Sequence, residues 1–517
     1  MKVNPHVPYL AAVSGAILFF VTFHISWFAI PEYVHRLIAQ EAFITKGSHS
    51  FNMWSTKSHN FKFKIYVFNI TNPSEVKDGR KPVLKEIGPY VYDLVRDHIK
   101  VEEKPLTDSV IYYERKTYYF NKTESGNLEE ADIFTIFNTE LLSSAMELYL
   151  IFPDLLSILT QVFPYLFPGM KDAFLQKSVR EVFFDGIVIN CESEVADSVC
   201  RHIEPDSLGN LRHAPNNSKN FVVSLFVNES EAGPFEMYRG VNNLLNRGQL
   251  KTINHKNTLD IWKGECDVVK GSDGFFFSPL TNIQDHVDIY IPEICRPLHF
   301  VQENKISDTI QQFLLNNKSF SFDNTDCYCA DESVNNNSLK AACPPYGIME
   351  IRQCIRTSMW LSLPHFYLAD KNLLNPVEGL KPESNLHSSF INIETVSGVT
   401  MNATVRIQFN QRVKQIKDFF YLENVSDCVI PLGWIETSYH LLDDFKDSID
   451  KHVHRLNLIT IAKWSLLIVG SVLTSAAIVF CIYFELCSEN VKNKFPLCAK
   501  FKSRKADQQL ELYNTVL

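Results

Sequence analysis

The sequence predicts a membrane-anchored α+β protein, with a large strand-rich body held between two apolar helices. Three observations carry that prediction. Residues 464–484 form an apolar run without charge or proline. A second uncharged run, residues 7–30, lies near the other end of the chain. Between them, apolar side chains recur with the period of two that belongs to half-buried strands.

The run 464–484, as a helix, would extend about 31 Å, close to the hydrocarbon thickness of a bilayer. Trp464 and Tyr483 stand near its ends, where amphipathic rings suit the membrane interfaces. Lys492, Lys494, Lys500, Lys502, Arg504 and Lys505 follow it, which marks the tail, 485–517, as cytoplasmic. In the run 7–30 only His24 could carry a charge near neutral pH. The run is longer than the roughly 7–15 apolar residues of a cleaved signal peptide. Trp27 and Phe28 suit an interface rather than a cleavage site, so this run reads as an uncleaved signal anchor after a cytoplasmic stub, 1–6.

The body, 31–463, reads as one continuous domain in a chain of 517 residues and net charge −9. An acidic chain whose main basic cluster is in its tail gives no footprint for nucleic acid. Nine of the 12 cysteines lie in the body: Cys191, Cys200, Cys266, Cys295, Cys327, Cys329, Cys343, Cys354 and Cys428. So do eight Asn-x-Ser/Thr acceptors: Asn69, Asn121, Asn216, Asn228, Asn317, Asn336, Asn402 and Asn424. Cysteines and glycan acceptors together place the body outside the cell or in a lumen. Both termini then face the cytosol, which makes a two-span plasma-membrane protein.

Within the body, Phe61, Phe63, Ile65 and Val67 alternate with polar residues and predict a strand. Gly88-Pro89 is expected to break the chain before a strand at Tyr90–Val95. Ser109 to Phe120 is again β-branched and aromatic. In 401–409, Met401, Ala403, Val405, Ile407 and Phe409 point one way. Asn402, Thr404, Arg406 and Gln408 point the other, which puts the acceptor Asn402 on a polar face. Residues 133–180 read instead as helices broken at Pro153, Pro164 and Pro168. Buried helices are one reading of that stretch, and a cap with an exposed apolar patch that meets a lipid-like ligand or partner is the other.

The segment Cys266–Cys354 is the chemical centre. A zinc site from Cys327, Cys329, Cys343 and Cys354 would need Cys-x-Cys, tighter than the usual spacing of two to four. An oxidising compartment favours disulfides, each adding about 3–5 kcal/mol in the chain-entropy account. Spacing leaves their connectivity open. No nucleophile elbow, His-Glu-x-x-His pair or phosphate loop is found, so no enzyme and no cofactor is expected. His365 stands alone and reads as structural. Glu129-Glu130 and Asp443-Asp444 suit turns or helix starts.

Nine stretches, in order between the two apolar runs, resemble the class B scavenger receptors. They are Tyr66-Val-Phe-Asn-Ile-Thr-Asn-Pro-Ser-Glu75, Lys85-Glu-Ile-Gly-Pro-Tyr90, Gly271-Ser-Asp-Gly274, Ile294-Cys-Arg296, Cys327-Tyr-Cys329, Ser362-Leu-Pro-His-Phe366, Gly379-Leu-Lys-Pro382, Arg406-Ile-Gln-Phe-Asn410 and Pro431-Leu-Gly-Trp434. That family includes platelet glycoprotein IV, the lysosomal integral membrane receptors and the insect sensory neuron membrane proteins. Phe184-Asp-Gly-Ile-Val-Ile-Asn-Cys191 and Ile391-Asn-Ile-Glu-Thr-Val-Ser-Gly398 look most like the sensory neuron branch. Trp54 is followed by Ser-Thr-Lys-Ser rather than prolines, Glu394-Thr395 replaces a usual Glu-Pro, and Ser278-Pro279 replaces Pro-Pro.

The resemblance implies a distorted antiparallel β-barrel with an apical helical bundle and an internal apolar tunnel. It also implies the bridges Cys266–Cys327, Cys295–Cys354 and Cys329–Cys343; proximity pairs Cys191 with Cys200 and leaves Cys428 single. A lysine near the apex holds a carboxylate in the family, for which Lys171 is the nearest candidate, beside Phe163 and Phe167. The tail adds Tyr513-Asn-Thr-Val516, which fits an endocytic signal. Cys481, Cys487 and Cys498 are palmitoylation candidates.

The function expected is a sensory receptor or co-receptor. It would take an apolar pheromone, odorant or fatty acid through the tunnel to the membrane or to a neighbouring odorant receptor channel. A general scavenger receptor for fatty acids or lipoproteins, and a lysosomal protein-trafficking receptor, are the alternatives.

Overall fold

The computed structural model describes residues 7–55, 60–151, 156–203, 205, 210–279, 285–307, 309–320, 326–334, 338–355, 359–417 and 419–486. They fall into two compact units: Glu41–Lys446, and the described residues before and after it, 7–40 together with 447–486.

The chain begins with α1 (Val7–His24), a π-helical turn (Ile25–Ala29) and α2 (Ile30–Ala42), then α3 (His49–Ser55). Strand β1 (Asn60–Ile70), α4 (Pro73–Lys77), β2 (Leu84–Lys104), β3 (Ser109–Phe120) and α5 (Lys122–Ser125) follow. A cap region comes next: β4 (Ile133–Phe137), α6 (Thr139–Ile151), α7 (Leu156–Leu166), β5 (Phe174–Ser178), β6 (Ile187–Ile189), α8 (Glu194–Cys200), β7 (Leu211–Ala214) and β8 (Asn217–Val223). The chain returns through β9 (Ser230–Tyr238), β10 (Leu250–Ile253), β11 (His286–Ile291), β12 (Arg296–Lys305) and β13 (Ile310–Leu315). A small hairpin, β14 (Ala330–Val334) and β15 (Ser338–Ala342), precedes β16 (Met349–Glu350), α9 (Arg352–Ile355), β17 (Met359–Ser362) and α10 (Ser384–His387). Last come β18 (Phe390–Glu394), β19 (Val399–Val413), β20 (Cys428–His440) and α11 (Asp443–Leu486).

Thirteen strands form one antiparallel sheet in the order β10-β9-β3-β2-β1-β20-β19-β18-β13-β12-β11, with β17 and β16 branching from β19. The sheet nearly closes on itself through Gly271-Ser272. Leu250 N–H donates to Gly271 O at 2.9 Å on the β10 side, and Tyr290 N–H donates to Ser272 O at 2.9 Å on the β11 side. Gly271 has φ +130°, and a Cβ there would stand 3.0 Å from the Tyr290 nitrogen, so the seam needs a residue without a side chain.

The alternating strand is β1, and its predicted apolar face is buried. Phe61 packs on Tyr439 (ring centroids 4.9 Å), and Phe63 on Tyr118 (5.0 Å) and Phe226 (5.1 Å). The other face is covered too: Tyr66 stacks on Trp434 at 3.7 Å, and Phe68 meets His365 edge-on at 5.2 Å.

Four expectations need correction. Gly88-Pro89 does not break the chain; β2 runs through it, and a bulge between Ile65 and Val67 in the β1 pairing absorbs the irregularity. Residues 133–137 and 174–178 are paired strands, not helix, because the β-branched and aromatic run Ile133–Phe137 finds a partner in Phe174–Ser178. Pro164 lies inside α7 and does not end it. The polar face of β19 is solvated only in part: Asn402 and Arg406 are half-buried, but Gln408, with Asn410 beyond it, is fully buried beside β17. There, Asn410 Nδ2 donates to Ser362 Oγ at 3.0 Å.

In the unit that holds α1 and most of α11, small residues meet across the helices. Thr474 Oγ1 donates to Gly15 O at 2.9 Å. A Cβ on Gly470 would stand 2.4 Å from Thr22 Oγ1. Trp27 and Trp464 touch with centroids 6.4 Å apart. Rising numbers on α1 meet falling numbers on α11, so the pair is antiparallel. Both helices are long and apolar enough to cross a membrane, Tyr9–Val34 and Asp443–Phe484.

Candidate ligand site beneath the helical cap

The cap sits at the end of the sheet where β19 finishes. Gln411 Nε2 donates to Thr139 O at 3.2 Å, and Lys414 Nζ lies 5.5 Å from the centre of the Tyr149 ring. The buried side chain of Asn138 caps α6, accepting the N–H groups of Glu140 and Leu141 at 3.1 Å each. Under this start of α6 lies a narrow cleft whose cavity volume is about 10 Å³, room for about one water molecule. Its walls are Phe68 and Ile70 from β1, Ile136 and Phe137 from β4, Thr139, Gln411, and the β20 run Ile430-Pro431-Leu432. Its lining is aliphatic and aromatic, with one amide and one hydroxyl. Ordinary ligand pockets hold roughly 300–1,000 Å³, so a long-chain molecule would enter only with movement of the cap. Glu140, just beyond Thr139, is pushed up to about 7 by burial.

The residues singled out near the apex do not line this cleft. Phe163 and Phe167 are buried in the cap, stacked with centroids 5.6 Å apart, and Phe163 also touches Tyr421. Lys171 is exposed. Its neighbour Asp172 pairs with Lys77. Disulfides join Cys191 to Cys200, Cys266 to Cys327, Cys295 to Cys354 and Cys329 to Cys343. With Cys327, Cys329, Cys343 and Cys354 in disulfides, those four thiols hold no metal. Cys428 is a buried free thiol, pushed up to about 12 by its surroundings.

Among the acceptors, Asn216, Asn228 and Asn424 are exposed and Asn69, Asn121 and Asn402 are half-buried. Asn317 opens a 3-10 turn. Cys481 is a partly exposed position of α11. Asn336, Cys487, Cys498 and Tyr513 lie outside the described residues.

A polar cluster behind the Phe68 wall was not foreseen. Glu86 accepts from His365 Nε2 at 2.5 Å and from Trp434 Nε1 at 3.0 Å. Burial alone would raise the Glu86 carboxyl, but these two hydrogen bonds hold it below its ordinary range. His387 stacks on His365 with centroids 4.4 Å apart. Burial, and then the neighbouring His365, push His387 down to about 4. Arg406 and Lys64 both pair with Glu436 beside them, at 2.6 and 2.8 Å. His365 therefore does not stand alone. The signal was present in the sequence: Glu86, His365, Lys381, Arg406 and Trp434 come from five of the nine quoted stretches. Only the fold brings them together.

A family model described as the CD36 family matches residues 13–481. Similar proteins include Sensory neuron membrane protein 1 of Plutella xylostella, 28% identical over 91% of this chain and 90% of that protein. Sensory neuron membrane protein 1 of Manduca sexta is 27% identical, over 93% and 92%. Sensory neuron membrane protein 2 of Heliothis virescens is 29% identical, over 88% and 89%.

Proposed function

This chain belongs to the CD36 family, a family of membrane-associated receptors, and we propose that it is a sensory receptor or co-receptor for an apolar odorant or pheromone. The observation that carries the reading is similarity along about nine tenths of the chain to proteins named for the sensory neuron membrane. The apolar cleft under the cap supports it. A chain molecule gains about 0.8 kcal/mol for each CH₂ taken out of water, so capture needs shielded apolar walls rather than a catalytic group. From the cap, the ligand passes to the outer leaflet or to a neighbouring odorant receptor channel.

The topology belongs to the same reading. Both apolar helices span the membrane, both termini are cytosolic, and Glu41–Lys446 is outside. The antiparallel helix pair supports this, because Trp27 and Trp464 then anchor at one interface. The disulfides of the sheet domain support it as well.

The test is binding of a long-chain fatty acid carrying an environment-sensitive dye to the full-length protein in nanodiscs, competed with an uncharged long-chain ester. Saturable, competed binding is expected, and Lys171→Ala tests the exposed lysine as a carboxylate partner. Co-expression with an odorant receptor channel should speed its response to an apolar odorant. Absence of both competed binding and an effect on the channel would overturn the reading.

A further inference from the structure

The segment Gly379–Ser388 lies over the polar cluster and is held there by acceptor nitrogens. Lys381 N–H donates to His365 Nδ1 at 3.0 Å, and Glu383 N–H donates to His387 Nδ1 at 2.8 Å. An imidazole nitrogen that accepts a backbone N–H carries a lone pair and no proton, so both rings are held as neutral Nε2–H tautomers. His365 spends its Nε2–H on Glu86. A proton added to either ring must go on Nδ1, where it would face a backbone N–H and break that hydrogen bond.

The surroundings decide how each ring responds. Glu86 on β2 attracts a charged His365, and Glu436 on β20 is already paired with Arg406 and Lys64. A charge on His387 is opposed by burial, by His365 and by Arg406 on β19, and is favoured by Glu86. Tyr66 from β1 and Trp434 complete the surroundings. Arg406 Nη1 also reaches the Ser388 carbonyl, so the far end of the segment has an anchor that acid does not touch.

We infer that His365 and His387 form an acid-released latch: protonation at Nδ1 frees Lys381–His387 from the sheet while Ser388 stays fixed. His365 also meets edge-on the ring of Phe68, which walls the cleft, so the charge that opens the latch is placed directly against that wall. The latch therefore makes the cleft sensitive to an acidic compartment. It does not depend on which ligand the cleft takes.

Hydrogen exchange of the full-length protein in nanodiscs tests this, with the amides of residues 381–387 compared at pH 7 and pH 4 after correction for intrinsic rates. At least a tenfold loss of protection is expected at pH 4, confined to this segment. In Asn, Oδ1 takes the place of Nδ1 and accepts an N–H without titrating, and Asn tolerates the φ of +54° at His365. His365→Asn with His387→Asn should keep the segment protected at both pH values. Equal protection of the native chain at both pH values overturns the latch. So does release of the double variant at pH 4, which would assign the effect to Glu86 or Glu436.

Discussion

A Cβ on Gly379 would lie 2.1 Å from the Leu84 carbonyl oxygen, and Gly379 itself has φ +98°. The segment below α10 thus crosses the start of β2 with no space for a side chain. Glu378 is tied there as well: its N–H donates to Pro82 O, and its carbonyl accepts Leu84 N–H, both at 2.9 Å.

Gly379→Ala should therefore be among the most damaging single-methyl changes in the chain. Strain at positive φ adds to a backbone clash, and together they should cost about 3 kcal/mol or more. A lower midpoint in thermal unfolding, and retention of immature protein in expressing cells, are the readouts. A midpoint unchanged within a degree would contradict the packing.

Glu140 gives a pH-dependent prediction. Burial raises its folded pKa to about 7, above the ordinary 4.5, so the folded state resists its ionisation. The stability tied to the protonated form is complete below about pH 4.5 and is lost as pH rises through 7. Glu140→Gln removes that loss. It should stabilise the protein by about 1–3 kcal/mol at pH 8 and change little at pH 4.5. Unfolding midpoints of both proteins across that range decide it; a gain that is equal at the two ends would sink the assignment.

Filling the cleft should block capture. Ile136 is a buried wall residue, whereas Ile133 on the same strand is exposed. Ile136→Trp should weaken binding of the dye-labelled fatty acid at least tenfold, with an overpacking cost of about 1–3 kcal/mol. Ile133→Trp should leave binding unchanged. Equal effects of the two would move the ligand elsewhere.

The helix pair depends on closeness at Gly470, where any side chain meets Thr22. Without a hydrophobic drive between helices in lipid, such close packing holds them together. Gly470→Leu should reduce oxidative cross-linking between cysteines placed at Gly15 and Ala477 by at least fivefold. Undiminished cross-linking would mean that other contacts hold the pair.

Much of the fold was legible because its signals are local. The apolar lengths of 7–30 and 464–484 and the two-residue period of Phe61–Val67 each follow from side chains a few positions apart. The errors arose where a distant segment changed the meaning of a local pattern. Ile133–Phe137 reads as part of a helical stretch until Phe174–Ser178 lies beside it. Gln408 reads as part of a polar face until the segment with Ser362 covers it.

The sequence by itself determined the two apolar helices, the strand-rich body and, through nine ordered stretches, the family. Tertiary structure alone decided that Gly271-Ser272 seams the sheet, that the cleft forms where β1, β4 and β20 meet, and that Glu86, His365 and His387 share one buried cluster. The physical reason is reach. Periodicity and length act along the chain, whereas burial and hydrogen-bond partnership are set by distant residues, as for Glu86 and His365, 279 positions apart.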